Sequence, residues 1–416
     1  MRIPVAFVVP LAAALFAVPA QAQQPPSNPI NVKIGVLSDM SGLYADIGGP
    51  GSVVAANMAV EDFKPESHHM KVEVVSADHQ NKPDIGSSIA RRWFDTEHVN
   101  AIADVPNSGV ALAVSNVTKE KNGVFLISGA ADSDLTDKQC SPNSVHWTYD
   151  TWALAHGTGG AIVRQGGKSW FFITADYAFG HALERDTGAV VQAAGGKVLG
   201  AVRAPLNTAD FSSYLLQAQG SKAQVIGLAN AGGDTINAVK QAAEFGIVQR
   251  GQRLAGLLVF LTDVHALGLQ TAQGLTLTTA FYWDLNDKTR AFAKRFAARD
   301  GGKYPTMVQA GVYSSVLNYL EAVAKTGSAT DGAKVVEAMK AAHYDDPLFG
   351  ETTVREDGRA VHAMYLVEVK KPSESKGPYD YFKVLETIPA NQAFRPLADE
   401  KGTCGLVKSA SLTGAK

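Results

Sequence analysis

"VKIGVLSDMSGLYADIGGPGSVVAAN", residues 32 to 57, is an apolar run that breaks into a glycine-rich loop and resumes as an alanine-rich apolar stretch. Strand, loop and helix in that order open a doubly wound α/β unit, whose loop lies beyond the carboxyl end of the strand, where such sheets bind ligands. A phosphate-binding fingerprint is the first reading to test. Within "GGPGSVV" the nearest match to GxGxxG begins at Gly49 and Gly51 but meets Val54 where the third glycine belongs, and no Lys-Ser or Lys-Thr pair follows for a P-loop. The loop is not expected to hold a nucleotide, and no cofactor is expected.

Outward from this stretch, short apolar runs alternate with helical ones, the pattern of parallel sheets covered by helices. "KVEVVSAD" (71–78), "VNAIADV" (99–105) and "VFLISG" (124–129) read as further strands, and "DIGSSIARRWFDTE" and "GVALAVSNVTKEK" as helices between them. A second unit starts afresh after "SVHWTYDT". Its strands are "SWFFITAD" (169–176), "VLGAVRAP" (198–205), "QVIGLANA" (224–231) and "RLAGLLVFLTD" (253–263), and Gly246 stops the helix "DTINAVKQAAEFG". Two amphipathic helices around "TRAFAKRFAARD" and "VYSSVLNYLEAVAK" follow, and "AMYLVEVKK" and "YDYFKVLETI" read as an antiparallel hairpin. The first strand of each unit ends in a loop with tyrosine and glycine, "SDMSGLYADIGG" and "TADYAFG". Two facing lobes would set those loops on opposite walls of one cleft.

The chain has 416 residues, enough for two domains with cores of their own, and its 46% hydrophobic and 19% charged content is that of a globular protein. With a net charge of −2 and no Lys/Arg block, nucleic acid is not an expected partner. Arg2, the apolar run Ile3 to Val18 and the small residues Ala20-Gln21-Ala22 read as a signal peptide, residues 1–22, cleaved before Gln23. A membrane anchor is the rival reading, which Pro10, Pro19 and the short core disfavour. In an exported chain the two cysteines, Cys140 and Cys404, either pair or stay as buried thiols; a disulfide is the expectation. There is no CxxC or HExxH, and His68-His69 reads as an exposed turn, so no metal site is expected.

Hydrolase chemistry lacks its motif: Ser108 sits in "PNSGV" and Ser128 in "LISGA", neither a GxSxG elbow. A non-enzymatic binding cleft is the reading that remains. "DVPNSGVALAVSN" ends a strand and opens a helix at Asn107 and Ser108, so free N–H groups and the Ser108 hydroxyl point where a small anion would be held. Ser108 as a plain helix cap is equally compatible with the sequence.

Taken together, "IGVLSDMSGLYADIG", "VFLISGAADSDLT", "ITADYAFG" and "QAGVYSSVLNYLEAV" resemble the leucine/isoleucine/valine-binding family, the solute-binding components of ABC importers. The resemblance covers essentially the whole mature chain. It implies a type I periplasmic binding fold, two doubly wound lobes joined by three crossovers near Val145–Thr151, Thr278–Trp283 and Leu348–Val354. Lobe 1 would comprise residues 30–149 and 280–352, lobe 2 residues 150–279 and 353–396, and a tail residues 397–416. It also implies a monomeric periplasmic receptor that takes a small-molecule carboxylate and hands it to an inner-membrane ABC permease. Carried over by position, Tyr44 lies on the first loop, Asn107 and Ser108 grip the carboxylate, and Ala130 and Asp132 add a backbone and a side-chain contact. Phe179 takes the aromatic place in lobe 2, and Asp263 stands where amino-acid binders keep a carboxylate for ammonium. Asp132 departs from the small hydroxyl residue usual there, and Asp263 is shorter in reach than glutamate. Tyr44, Tyr149, Trp152, Tyr177, Phe179, Tyr282 and Trp283 all fall on expected strand ends or crossovers, which favours a flat ring. "SADHQNK", "RRWFD", "DVPNS" and "VHWTYDTWALAHGT" are similar to the branch associated with hydroxybenzoates and hydroxycinnamates, with a branched-chain or other amino acid as the alternative ligand.

Overall fold

The computed structural model describes residues 28–400 and 403–408. The expected signal peptide lies outside the described residues, as do residues 401–402 and 409–416 of the tail.

Two parallel sheets form the frame. The first has β1 (Ile30–Ser38), β2 (Met70–Asp78), β3 (Ala101–Asp104), β4 (Val124–Ile127) and β5 (Ser144–His146) in the order β2-β1-β3-β4-β5. Both faces are covered along the inner strands, which is why β1, β3 and β4 read as apolar runs, whereas the edge strand β2 alternates. Ile34, Val36, Ala103 and Leu126 belong to the core shared with the helices Gly49–Phe63 and Met307–Thr326. Leu37, Ile102, Phe125 and Ile127 pack with Trp93 and Val110 of the helices Pro83–Asp95 and Ser108–Glu120.

The second sheet has β6 (Ser169–Ala175), β7 (Lys197–Ala204), β8 (Val225–Ala229) and β9 (Arg253–Gly256) in the order β7-β6-β8-β9. The run 253–263 is not one strand as its apolar character implied. β9 stops at Gly256, and a helix, Leu261–Leu267, takes the remainder. A continuous apolar run has no period with which to separate a buried strand from a buried helix.

Two small antiparallel sheets complete the fold. β10 (Thr276–Thr279), β14 (Met364–Val369) and β15 (Phe382–Ile388) pair in the order β10-β14-β15, so the expected hairpin forms and gains a third strand. β11 (His343–Asp346), β12 (Gly350–Val354) and β13 (Ala360–Val361) form the other, and Arg359 bridges to His146 of β5. Residues 350–361 therefore stay with the first sheet. From Met364 the chain joins β10 and β15 in the other small sheet.

Candidate functional site

Each parallel sheet has one place where the strand order reverses, between β1 and β3 in the first and between β6 and β8 in the second. Helices leave to opposite sides there, opening a crevice beyond the carboxyl ends of the strands. The structure sets the two crevices against each other. The first contributes Tyr44 and Ile47 after β1 and Pro106 after β3; the second contributes Tyr177 and Phe179 after β6 and Ala231 after β8. Gly129, Ala131, Tyr149, Leu258 and Phe260 complete a nearly closed cavity of about 10 Å³. Among the described residues no charged side chain lines it.

The loop that opened the sequence is shaped by Asp39. Its carboxylate accepts from the amides of Gly42 at 2.8 Å and Tyr44 at 2.9 Å and from Asn81 Nδ2 at 2.6 Å. The turn spends its N–H groups on its own aspartate and presents Tyr44 to the cleft. Tyr44 lies 2.6 Å, hydroxyl to hydroxyl, from Tyr177 on the opposite wall. Tyr177 in turn sits 5.8 Å, centroid to centroid, from Phe179. Closure is tight elsewhere too: at Gly232, with φ of 58°, a β-carbon would lie 2.9 Å from the Leu43 carbonyl oxygen. Only glycine allows that approach without displacing the opposite loop. Burial raises the Tyr44 and Tyr177 phenols above their ordinary values, so both remain protonated donors.

The remaining expected site residues have other partners. Asn107 caps the Ser108–Glu120 helix, its Oδ1 accepting from the Val110 amide at 3.1 Å. Ser108 is not that cap. Its hydroxyl accepts from the amides of Ala131 and Asp132, each at 3.3 Å, and so ties the helix start to the loop after β4. On that loop Gly129 and Ala131 line the cavity, while the carbonyl of Ala130 is taken by His146 Nε2 at 2.8 Å. Asp132 accepts from the Asp134 amide at 3.0 Å, and Asp263 from the Phe260 amide at 2.9 Å. Trp152 stacks on His156 at 3.5 Å and is not among the lining residues. Tyr44 and Phe179 are thus the expected residues brought to the cavity wall, together with Tyr149 and Tyr177 from the wider aromatic set.

Pro106, Gly129, Ala131, Ala231, Leu258 and Phe260 carried no sequence signal of their own, because small and aliphatic residues acquire a role here only from where the strands end. Tyr149 is fixed by its hydroxyl, which donates to the Gly129 carbonyl at 2.6 Å. Among the described residues there is no cluster of three or more His, Cys, Asp or Glu that could hold a metal. No helix there is long and apolar enough to cross a membrane.

Buried carboxyls surround the cavity without entering it. Burial pushes Asp263 up to about 7, and burial followed by the neighbouring Asp134 pushes Asp132 up to about 7. Because the folded carboxyl holds its proton more tightly than the unfolded one, near pH 4, stability is greatest below that value and declines as pH rises through the folded value near 7. A shift of this size corresponds to about a few kcal/mol. Asp263→Asn keeps an acceptor for the Phe260 amide and cannot ionise. Its melting temperature is expected to fall less than the native protein's between pH 4 and pH 8, with the largest part of the difference arising between pH 4 and pH 7; parallel melting curves would contradict the assignment.

Comparison with known proteins agrees with this frame. A family model described as periplasmic binding protein matches residues 31–377, and the chain belongs to that family. A periplasmic binding protein from Burkholderia mallei is 53% identical, with 91% of this chain and 100% of that chain covered and a TM-score of 0.87. A branched chain amino acid ABC transporter periplasmic ligand-binding protein from Burkholderia xenovorans is 43% identical, with 91% and 100% covered and a TM-score of 0.80. A solute binding protein of an ABC transporter from Rhodopseudomonas palustris, in complex with p-hydroxybenzoic acid, is 24% identical, with 88% and 98% covered and a TM-score of 0.78, a likeness of fold alone. A Leu/Ile/Val-binding protein homolog from Brucella melitensis is 29% identical over 60% of this chain, and the match spans 64% of that relative's length.

Proposed function

We propose that this chain is the periplasmic solute receptor of an ABC importer and that it binds a small aromatic carboxylate, such as a hydroxybenzoate or hydroxycinnamate, between its lobes without chemical conversion. The observation that carries this reading is the lining of the cavity: five aromatic rings, from Tyr44, Tyr149, Tyr177, Phe179 and Phe260, and no charged side chain. Aromatic walls with a few polar groups suit a flat ring. The walls stand close here, with about 10 Å³ of free space between them, room for about one water, so a ligand would enter as the lobes part and be enclosed as they close again. The carboxylate would lie toward the start of the Ser108–Glu120 helix, where the first two helical amides and the Ser108 hydroxyl proton offer donors and the helix dipole favours a negative charge.

The second reading, a branched-chain or other amino acid, is favoured by the name of the 43% identical relative from Burkholderia xenovorans. Against it stands the ammonium group. An α-amino acid would bury that cation where no carboxylate lines the wall, and Asp263 is engaged with the Phe260 amide. An unpaired buried charge is expensive. Contact with both lobes makes the ligand favour the closed arrangement, which a membrane permease would then recognise.

Thermal denaturation against a panel of aromatic acids and amino acids separates the readings. At a concentration one hundred times Kd, a ligand stabilises by about 2.7 kcal/mol, or about 5 °C in Tm. Such a shift is expected with 4-hydroxybenzoate or a hydroxycinnamate. A shift with leucine, isoleucine or valine alone would transfer the assignment to the second reading, and a shift with neither class would remove both.

A further inference from the structure

The C-terminal segment leaves β15 at Ile388, on the second lobe, and does not end there. Cys404 is disulfide-bonded to Cys140, on the loop that follows β4 in the first lobe, with a Cα–Cα separation of 5.7 Å. Arg395 reaches the same loop on the way, its Nη1 donating to Asp137 at 2.6 Å and its Nη2 to Ser133 Oγ at 3.2 Å. Further contacts hold the segment to the first lobe's small sheet. Arg355 Nη1 donates to the Arg395 carbonyl at 2.6 Å, and the Lys408 amide donates to Glu356 at 3.1 Å.

Ser133 is also where the second lobe docks. Its hydroxyl donates to Asp186 Oδ2 at 2.7 Å and accepts from Arg185 Nη2 at 2.9 Å, both residues on the helix Ala178–Ala193. Arg185 Nη1 adds a bond to Asp134 at 3.3 Å, and Asp186 Oδ2 accepts from Thr151 Oγ1 at 2.6 Å. One hydroxyl thus gathers the first lobe's loop, the second lobe's helix and the C-terminal segment that leads into the tail. That loop carries Ala131 and that helix carries Phe179, both on the cavity wall.

We propose that the tail and the Cys140–Cys404 disulfide form a fourth covalent link between the lobes, a clasp that restricts opening and biases the receptor toward its closed form. The inference rests on the opening and closing described under the proposed function, and goes beyond it by assigning part of that equilibrium to the tail. A link between two moving bodies removes conformations from the open ensemble and few from the closed one, so the closed fraction rises and apparent affinity rises with it.

The test compares the native protein with Cys140→Ser/Cys404→Ser and, separately, with Arg395→Ala, which keeps the disulfide should the double variant fold poorly. Small-angle scattering of the unliganded proteins reads opening, and calorimetric titration with 4-hydroxybenzoate reads affinity. The double variant is expected to raise the radius of gyration by about 1 Å above the roughly 22 Å of a compact chain this long. It is expected to weaken 4-hydroxybenzoate about fivefold, with Arg395→Ala moving both in the same direction by less. A lower Tm with unchanged radius and affinity would show a plain staple against unfolding and overturn the clasp. Failure of 4-hydroxybenzoate to bind the native protein counts against the ligand assignment alone, because the radius of the unliganded proteins still decides the clasp.

Discussion

Ala231→Trp is expected to reduce binding of an aromatic acid at least a hundredfold while leaving the protein folded. Ala231 lies just past β8, at the strand-order reversal of the second sheet, and lines the cavity. An indole there would occupy much of the space meant for the ligand ring. The same enlargement inside a core would force off-rotamer side chains at a cost of about 1–3 kcal/mol. Here the added bulk lies between two lobes, and it is accommodated when they separate. Titration calorimetry should show no measurable heat with 4-hydroxybenzoate, and thermal denaturation should show a Tm close to the unliganded native value. Native affinity in the variant would place the ligand outside this cavity.

The second large effect is on stability. Arg359 is fully buried, its Nη1 donating to the Tyr149 carbonyl at 3.0 Å and lying 3.4 Å from Asp150 Oδ2, its Nε donating to the Ala360 carbonyl at 2.9 Å. The guanidinium also lies 4.5 Å from the centre of the Phe394 ring. Burial lowers it to about 10, still far above neutrality, so a cation sits here opposite Asp150. Arg359→Ala strips Asp150 of that counter-charge and leaves a carboxylate in the interior, a change that costs about 3–5 kcal/mol. Against a total stability of roughly 5–15 kcal/mol, that is a large share. A fall in Tm of about 6–9 °C is expected by calorimetry. Arg359→Met/Asp150→Asn removes both charges and should recover part of the loss. If the double variant were no better than Arg359→Ala, packing rather than charge would be what Arg359 supplies.

Much of the frame is visible in the sequence because parallel strands covered on both faces leave uninterrupted apolar runs, as β1 and β4 do. Tyr44 and Phe179 are visible for a related reason: each follows the first strand of its unit, the position that faces the opposite lobe. What is not visible depends on which groups satisfy one another. The family resemblance sets Asp132 and Asp263 at ligand positions, and what it cannot supply is that each accepts a backbone amide three or fewer residues away. Ser108 looks like a cap, and its neighbour Asn107 does that work, freeing the serine hydroxyl for the Ala131 and Asp132 amides. The glycines and alanines of the wall, and Phe260 inside an apolar run, gain their place only when two sheets meet.

The central claim is that an aromatic carboxylate lies between Tyr44 of one lobe and Phe179 of the other. A crystal structure of the protein grown with 4-hydroxybenzoate tests it most directly. The account predicts ring density among Tyr44, Tyr149, Tyr177, Phe179 and Phe260, with the carboxylate toward the start of the Ser108–Glu120 helix. Density for the acid at another place, or an amino acid retained in this cavity in its stead, would contradict it.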